Sequence, residues 1–413
     1  MRIARTAGVV VLALLLSSCG WPQVGFDAGR SWSNPLEREI GASSVLRTSW
    51  AKGGPYAAYW QLVTDGDSVF GSYRSGIRAL KERTGRIRWS APPAVVLHGF
   101  AAPTTPVAVA ADPSRGREVL IARAAGLGSA SEHNEGSWGG LVSYDAQTGA
   151  LLWSNPLDAV VSAAVADGRI FATTIHLERD VWTVDLVAVE LTTGRELYRV
   201  HGLRGGVSVA AGHVFADSAA GPVSASATGC GAAVCPIEWT GQPWAGVTLV
   251  GNTTAATSRQ LVVSAGAGLA AYPAGGCGAS TCVPAWHVAG SFSPVAIDGT
   301  FVYAVGVVAG GDGVTRAYAF DTSHCTAQQC VPVWGSQETL RAGASTAPVV
   351  ANGLVVFADP VAGIVAWRSQ GCAATRCAAV WSIPHPTSEG GQVLIADGRL
   401  YDGSDGLGTW VPT

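Results

Sequence analysis

Aromatic residues recur at positions 50, 89, 153, 198, 239, 286, 334 and 381, and each closes a stretch built in the same order. The spacing is roughly 40–48 residues, apart from one long interval. Each unit carries an alternating apolar run, then Asp-Gly or Asn-Gly, then a second such run, as in AVADGRIFATT and VVANGLVVFAD. Such dipeptides between β-branched runs signal a hairpin, because both central residues of a type I′ turn need positive φ. A third strand and another turn then lead to a fourth strand that ends on the aromatic. Four strands per repeat of this length predict a β-propeller.

Seven complete units end at Trp89, Trp153, Tyr198, Trp239, Trp286, Trp334 and Trp381. The strand ending at Trp50 has no upstream partners, and GGQVLIADGRLYDGSDGLGTW near the C-terminus has three strands and no fourth. Joining the two predicts an all-β, eight-bladed propeller of four-stranded antiparallel blades, with head and tail sharing one blade so that no edge is left free. The propeller is expected to span residues 45–413 as a single domain. The eight aromatics, Trp50 included, are expected to fill the wedges between neighbouring blades. Small-residue runs such as VVSAAV, FSPVAI and STAPVV should line the central channel. Composition agrees: 53 glycines and 21 prolines suit a turn-rich chain, and 48% hydrophobic against 13% charged residues excludes a disordered one. A net charge of −3 without a basic cluster excludes nucleic acid as a partner.

The cysteines follow the repeat. Eight of the nine form the pairs Cys230/Cys235, Cys277/Cys282, Cys325/Cys330 and Cys372/Cys377, each with an aromatic four residues after its second member. An even number in an exported chain predicts four local disulfides. Zinc is the weaker reading, since its sites favour closer Cys-x2-Cys spacing. Upstream units carry Thr-Gly before the aromatic instead, at Thr84-Gly85, Thr148-Gly149 and Thr193-Gly194. Aligned on the aromatic, the second cysteine falls where that glycine sits. A hairpin lengthened by several residues and stapled by the disulfide is therefore expected in the later units.

The ninth cysteine, Cys19, ends MRIARTAGVVVLALLLSSC. Two arginines and a short apolar run from Ala7 to Leu16 match a secretory signal over residues 1–18; a bilayer span would need about 20 apolar residues. Leu16-Ser17-Ser18-Cys19 resembles the bacterial lipobox, which implies lipidation of Cys19 and attachment to the outer face of a bacterial cell membrane. The other reading is an ordinary signal peptide cut near Ser18. Residues 19–44 are then a lipid-anchored N-terminal segment.

The repeat resembles the PQQ-type propeller repeat, whose motif ends in Ala-x-Asp-x-x-Thr-Gly-x-x-x-Trp. The best match runs from Ser143 through Asp145 and Thr148-Gly149 to Trp153, and WPQVGFDAGRSWSNPLE from Trp21 resembles the opening segment of quinoprotein dehydrogenases. The resemblance implies either a PQQ- and calcium-dependent oxidoreductase or a catalytically inert scaffold. Such dehydrogenases carry two adjacent cysteines and a Glu/Asn/Asp set around calcium, and no Cys-Cys dipeptide occurs here. The acidic residues sit mostly in turns, as Asp65, Asp167, Asp298 and Asp397 do, and the histidines are scattered. No nucleophile elbow, His-Glu-x-x-His or phosphate loop is present. No cofactor, catalytic residue or metal ligand is assigned.

The unit ending at Trp153 is the long one. Its extra segment includes Arg115, Arg117, His133, Asn134, Glu135 and Trp138, and IHLERDVWTVD from Ile175 is a milder extension. These reads as a partner-binding face, with a surface insertion as the plain alternative. The expected function is a membrane-anchored, extracytoplasmic, non-catalytic scaffold that binds an envelope protein or polymer. The alternatives are a PQQ/calcium oxidoreductase and a sensor holding a small ligand in the channel.

Overall fold

The computed structural model describes residues 20–52, 61–73, 76–93, 96–97, 100–101, 104–127, 137–178, 181–243, 253–265, 267–327, 329–341, 347–384, 392–403 and 406–413. Those residues are strands and turns, with one 3-10 turn at Thr322–His324.

Four-stranded antiparallel sheets follow one another along the chain. Leu62–Thr64, Ser68–Tyr73, Gly76–Lys81 and Ile87–Ala91 form one. Equivalent sets of four lie within residues 104–155, 159–201, 204–241, 253–292, 296–336 and 349–383. The first strands of consecutive sheets touch. Val393–Ala396, Arg399–Asp402 and Leu407–Pro412 form three strands of a further sheet, and its fourth is Leu46–Lys52, antiparallel to Leu407–Pro412 with Trp50 opposite Thr409. Beside that sheet, Gln392 bonds Leu62 through both ends of its side-chain amide.

Burial explains why the second and third strands of many units read as continuous apolar runs. Each sheet is covered on both faces by its neighbours, so Leu354–Asp359 is buried at every position, whereas the fourth strand Leu151–Asn155 is partly or fully exposed throughout. The Asp-Gly and Asn-Gly turns have the expected backbone: φ is 48° and 72° at Asp167-Gly168, and 44° and 73° at Asn352-Gly353.

All four cysteine pairs are disulfide-bonded, with Cα–Cα separations of 5.6, 5.7, 4.4 and 5.6 Å. Their loops do more than close a hairpin. Thr281–Cys282 lies parallel to Thr240–Gly241 of the preceding sheet, and Arg376–Cys377 lies parallel to Gly335–Ser336. The Cys230–Cys235 loop bonds Arg199 in the same way, through Arg199 N to Ala233 O and Cys235 N to Arg199 O. Each of these three loops thus adds a short extra strand to the outer edge of the sheet before it, where an unpaired edge would otherwise face solvent.

Candidate functional site

Residues 20–34 run across the end of the sheets where the Asp-Gly turns lie, and bond to one first strand after another. Trp21 bonds Thr64 through its backbone N–H and C=O. Val24 N donates to Val107 O, and the Gln23 side chain bonds both backbone groups of Val165. Val209 N, Ala256 N, Ile297 N and Val350 N donate to the carbonyls of Ala28, Gly29, Ser31 and Trp32. Asn34 Nδ2 donates to Ile395 O at 2.9 Å. The segment thus follows the first strands in turn, from the sheet at 62–91 round to the one at 393–412. Its aromatics form its own small core, with Trp21 fully buried and its ring 5.3 Å from Phe26 and 6.2 Å from Trp32. Glu37 then caps the turn that leaves the channel: its carboxylate accepts the backbone N–H groups of Arg38, Glu39, Ile40 and Gly398. Residues 20–34 of the N-terminal segment thus pack against the first strands of the sheets.

Above this floor lies a cavity of about 270 Å³, lined by Val24, Arg30, Gln61, Arg123, Ser162 and Gly205 among others. Val161, Ser162 and Ala163 on its wall belong to the VVSAAV run assigned to the channel. Arg30 Nη2 donates to Ala163 O at 3.0 Å, and Arg123 Nη1 donates to Val160 O at 2.9 Å. Burial, and then the charge of Arg123, push the Arg30 guanidinium down to about 10. Burial also lowers Arg123.

Most of these aromatics bond to the neighbouring sheet. Trp50, Trp89 and Trp153 donate their indole N–H groups to the carbonyls of Glu82, Ala146 and Leu191 in the next sheet, at 2.8–3.1 Å. The Tyr198 hydroxyl donates to Ser226 O, and the Trp334 indole to Ser369 O. Trp239 lies against Gly276 without such a bond. Trp286 packs with Cys330. Trp381 donates to Gly41 O, in the stretch leading into Leu46–Lys52.

These contacts correct the alignment of the cysteine loops. A Cβ on Gly85, Gly149 or Gly194 would come within 2.5–2.6 Å of the preceding tryptophan. In three of the four cysteine units the residue meeting the aromatic is a glycine, Gly229, Gly276 or Gly371, just before the first cysteine; in the fourth, His324 precedes Cys325. In those three units the glycine is therefore retained, and the stapled loop is inserted after it; the second cysteine does not take its place.

The six residues grouped as a partner loop are not brought together. Arg115 and Arg117 sit at the turn beginning at Asp112, paired with Asp112 and Asp145. Trp138 lies at the far end of the same strand pair, opposite Gly126. Strand Arg117–Leu127 is 11 residues long, so about 33–36 Å separates the ends. His133, Asn134 and Glu135 lie outside the described residues, as does Cys19. The hairpin Arg169–Glu178/Val181–Glu190 turns at the end shared by Trp138, opposite the N-terminal floor.

Among the described residues no three His, Cys, Asp or Glu side chains converge to hold a metal ion. The sequence has no adjacent cysteine pair, and among the described residues no acidic cluster stands ready for calcium, so these residues do not fit PQQ with calcium. Among the same residues no helix is long and apolar enough to cross a membrane.

No protein-family model matches the sequence, and no curated protein matches it. Solved structures do. BamB from Moraxella catarrhalis matches with a TM-score of 0.58 at 15% identity, over 89% of this chain and 100% of that one. A quinohemoprotein alcohol dehydrogenase from Comamonas testosteroni matches with a TM-score of 0.64 at 12% identity, over 98% and 82% of the two chains. A europium-containing methanol dehydrogenase matches with 0.64 at 11%, over 92% and 88%. The chain has the fold of the PQQ-like β-propellers. At these identities the likeness is one of fold alone.

Proposed function

We propose that this protein is a lipid-anchored, extracytoplasmic bacterial scaffold that binds another envelope component, protein or polymer, without catalysing a reaction. In this reading residues 1–18 are the signal peptide and Cys19 carries the lipid. The propeller has eight blades, closed by Leu46–Lys52 against Leu407–Pro412, and the bonds between Gln392 and Leu62 support that closure. The observation that carries the non-catalytic reading is the N-terminal segment. It closes one end of the ring of sheets with its own aromatics and backbone bonds, and the cavity above it is lined by Arg30 and Arg123, with no acidic side chain among the described residues of its wall that could hold calcium. Partner binding is assigned to the end opposite this floor, where residues 128–136 and 179–180 join their strands.

The test replaces residues 128–136 by a short Gly-Ser turn, leaving strand Arg117–Leu127 intact, and compares crosslinked partners in whole envelopes. Loss of a specific partner is expected; an unchanged set removes the assignment. Cys19→Ala should move the protein out of the membrane fraction and abolish incorporation of a labelled fatty acid. Dye-linked alcohol oxidation by protein supplied with PQQ and calcium would overturn the non-catalytic reading.

A further inference from the structure

Arg30 and Arg123 come from distant parts of the chain, one on the N-terminal floor and one on the second strand of the sheet at 104–155, yet both line the same cavity. Each gives one hydrogen bond, to the carbonyls of Ala163 and Val160. Arg30 Nε is buried without an acceptor. Among the described residues no carboxylate pairs with either side chain. A guanidinium has five N–H donors in a fixed fork, so most of this donor capacity is unused. Two like charges in a partly desolvated space repel, and water screens them less there than at the surface.

The geometry points to a binding site for a small oxyanion, a carboxylate or phosphate group, held in this cavity between Arg30 and Arg123. A planar fork of N–H donors matches two oxygens of either group. An anion supplies the missing counter-charge, which an apolar or cationic ligand does not. The lowering of Arg30 by burial and by Arg123 fits a cavity that lacks that charge. Ser162 on the wall accepts from Val207 N at 3.1 Å, which leaves its own hydroxyl hydrogen to give. At about 270 Å³ the cavity falls just below the roughly 300 Å³ at which typical ligand pockets begin. The ligand is therefore a small anion or a compact anionic headgroup. This site stands apart from the docking face and does not depend on it.

The test is thermal unfolding of the mature full-length chain, titrated with inorganic phosphate or with acetate against chloride at constant ionic strength. A saturable rise in melting temperature is expected with at least one of the two, and the responding arm tells phosphate from carboxylate. Phosphate also stabilises proteins generally by exclusion from their surfaces, but that effect does not saturate. Arg30→Gln and Arg123→Gln should each weaken the saturable binding by about ten- to a hundredfold, the loss of one charge-assisted contact. In chloride alone each variant should melt no lower than the parent, because the repulsion is gone; an arginine with only a structural role would lower it. No saturable rise with either anion, or the same rise in both variants, overturns the proposal. If the variants do not fold, the arginine Nε–H resonances of the parent are followed by NMR during the phosphate and acetate titrations. Movement of two of them with one saturation curve supports the site, and no movement overturns it.

Discussion

Trp89 donates its indole N–H to Ala146 O of the next sheet at 2.9 Å, and the same ring lies against Gly149, three residues further on. Donor and glycine form one contact. The ring comes close enough to reach the carbonyl because position 149 has no side chain.

Gly149 and Gly168 separate the two demands made on glycine. Both have positive φ, 74° and 72°, but a Cβ on Gly149 would meet Trp89 at 2.6 Å, whereas one on Gly168 meets nothing within 4 Å. Gly168→Ala should cost about 1–2 kcal/mol for the backbone alone. Gly149→Ala should cost a further 1–3 kcal/mol or so for overpacking. Urea unfolding of the two variants measures the difference, and equal midpoints would refute the contact.

The disulfide loops are predicted to guard the neighbouring sheet. Thr240 N donates to Ser280 O and Gln242 N to Cys282 O, both across the parallel pairing with the Cys277–Cys282 loop. The double change Cys277→Ser/Cys282→Ser should lower stability by about 2 kcal/mol by freeing a short loop. It should also speed hydrogen exchange at Thr240 and Gln242, outside the altered loop. Unchanged exchange there would confine each bond to its own hairpin.

Glu82 makes stability depend on pH. Its carboxyl is pushed up to about 7, first by burial and then by the negative charge of Asp397, although the Tyr401 hydroxyl donates to it. The raised folded-state value means that the folded chain binds more protons than the unfolded one between about pH 4.5 and 7. Stability therefore falls as pH rises through that window, by at most about 3 kcal/mol. Glu82→Gln keeps an acceptor for Tyr401 and should be more stable than the parent at pH 8, with this part of the pH slope gone. A slope retained in the variant would place its origin elsewhere.

Trp21 tests the floor of the channel. It is wholly buried and holds Thr64 through its backbone. Trp21→Ala should lower stability by about 3–5 kcal/mol. A variant close to the parent in a denaturant melt would mean that the N-terminal segment is dispensable to the fold.

What the sequence shows well is what repeats. Asp-Gly turns, aromatic spacing and paired cysteines are local signals, and seven similar copies reinforce each other; the strands, turns and disulfides follow. The partnership of Trp50 with the C-terminal strands was legible because the incomplete units at the two ends complement each other. The path of residues 20–34 was not, because that segment has no period and its partners are single residues on many different strands. Arg30 and Arg123 were invisible as a pair for the same reason: 93 positions apart, they meet only once the floor is in place. The cysteine alignment went astray because Gly229, Gly276 and Gly371 were read as part of the loop. Their shared place before the first cysteine, in three of the four units, was the available signal.

The bond from Asn34 to Ile395 spans 361 residues, and so does that from Glu37 to Gly398. A ribosome makes Ile395 a full 361 residues after Asn34. That end of the N-terminal segment must therefore wait for this partner until the hairpin at 393–402 has been synthesised. Contacts so distant along the chain are slow to form. A segment whose first bonds are to Thr64 and Val107 thus completes its seating only at Ile395, and a chain cut short before Ile395 would never give Asn34 that partner.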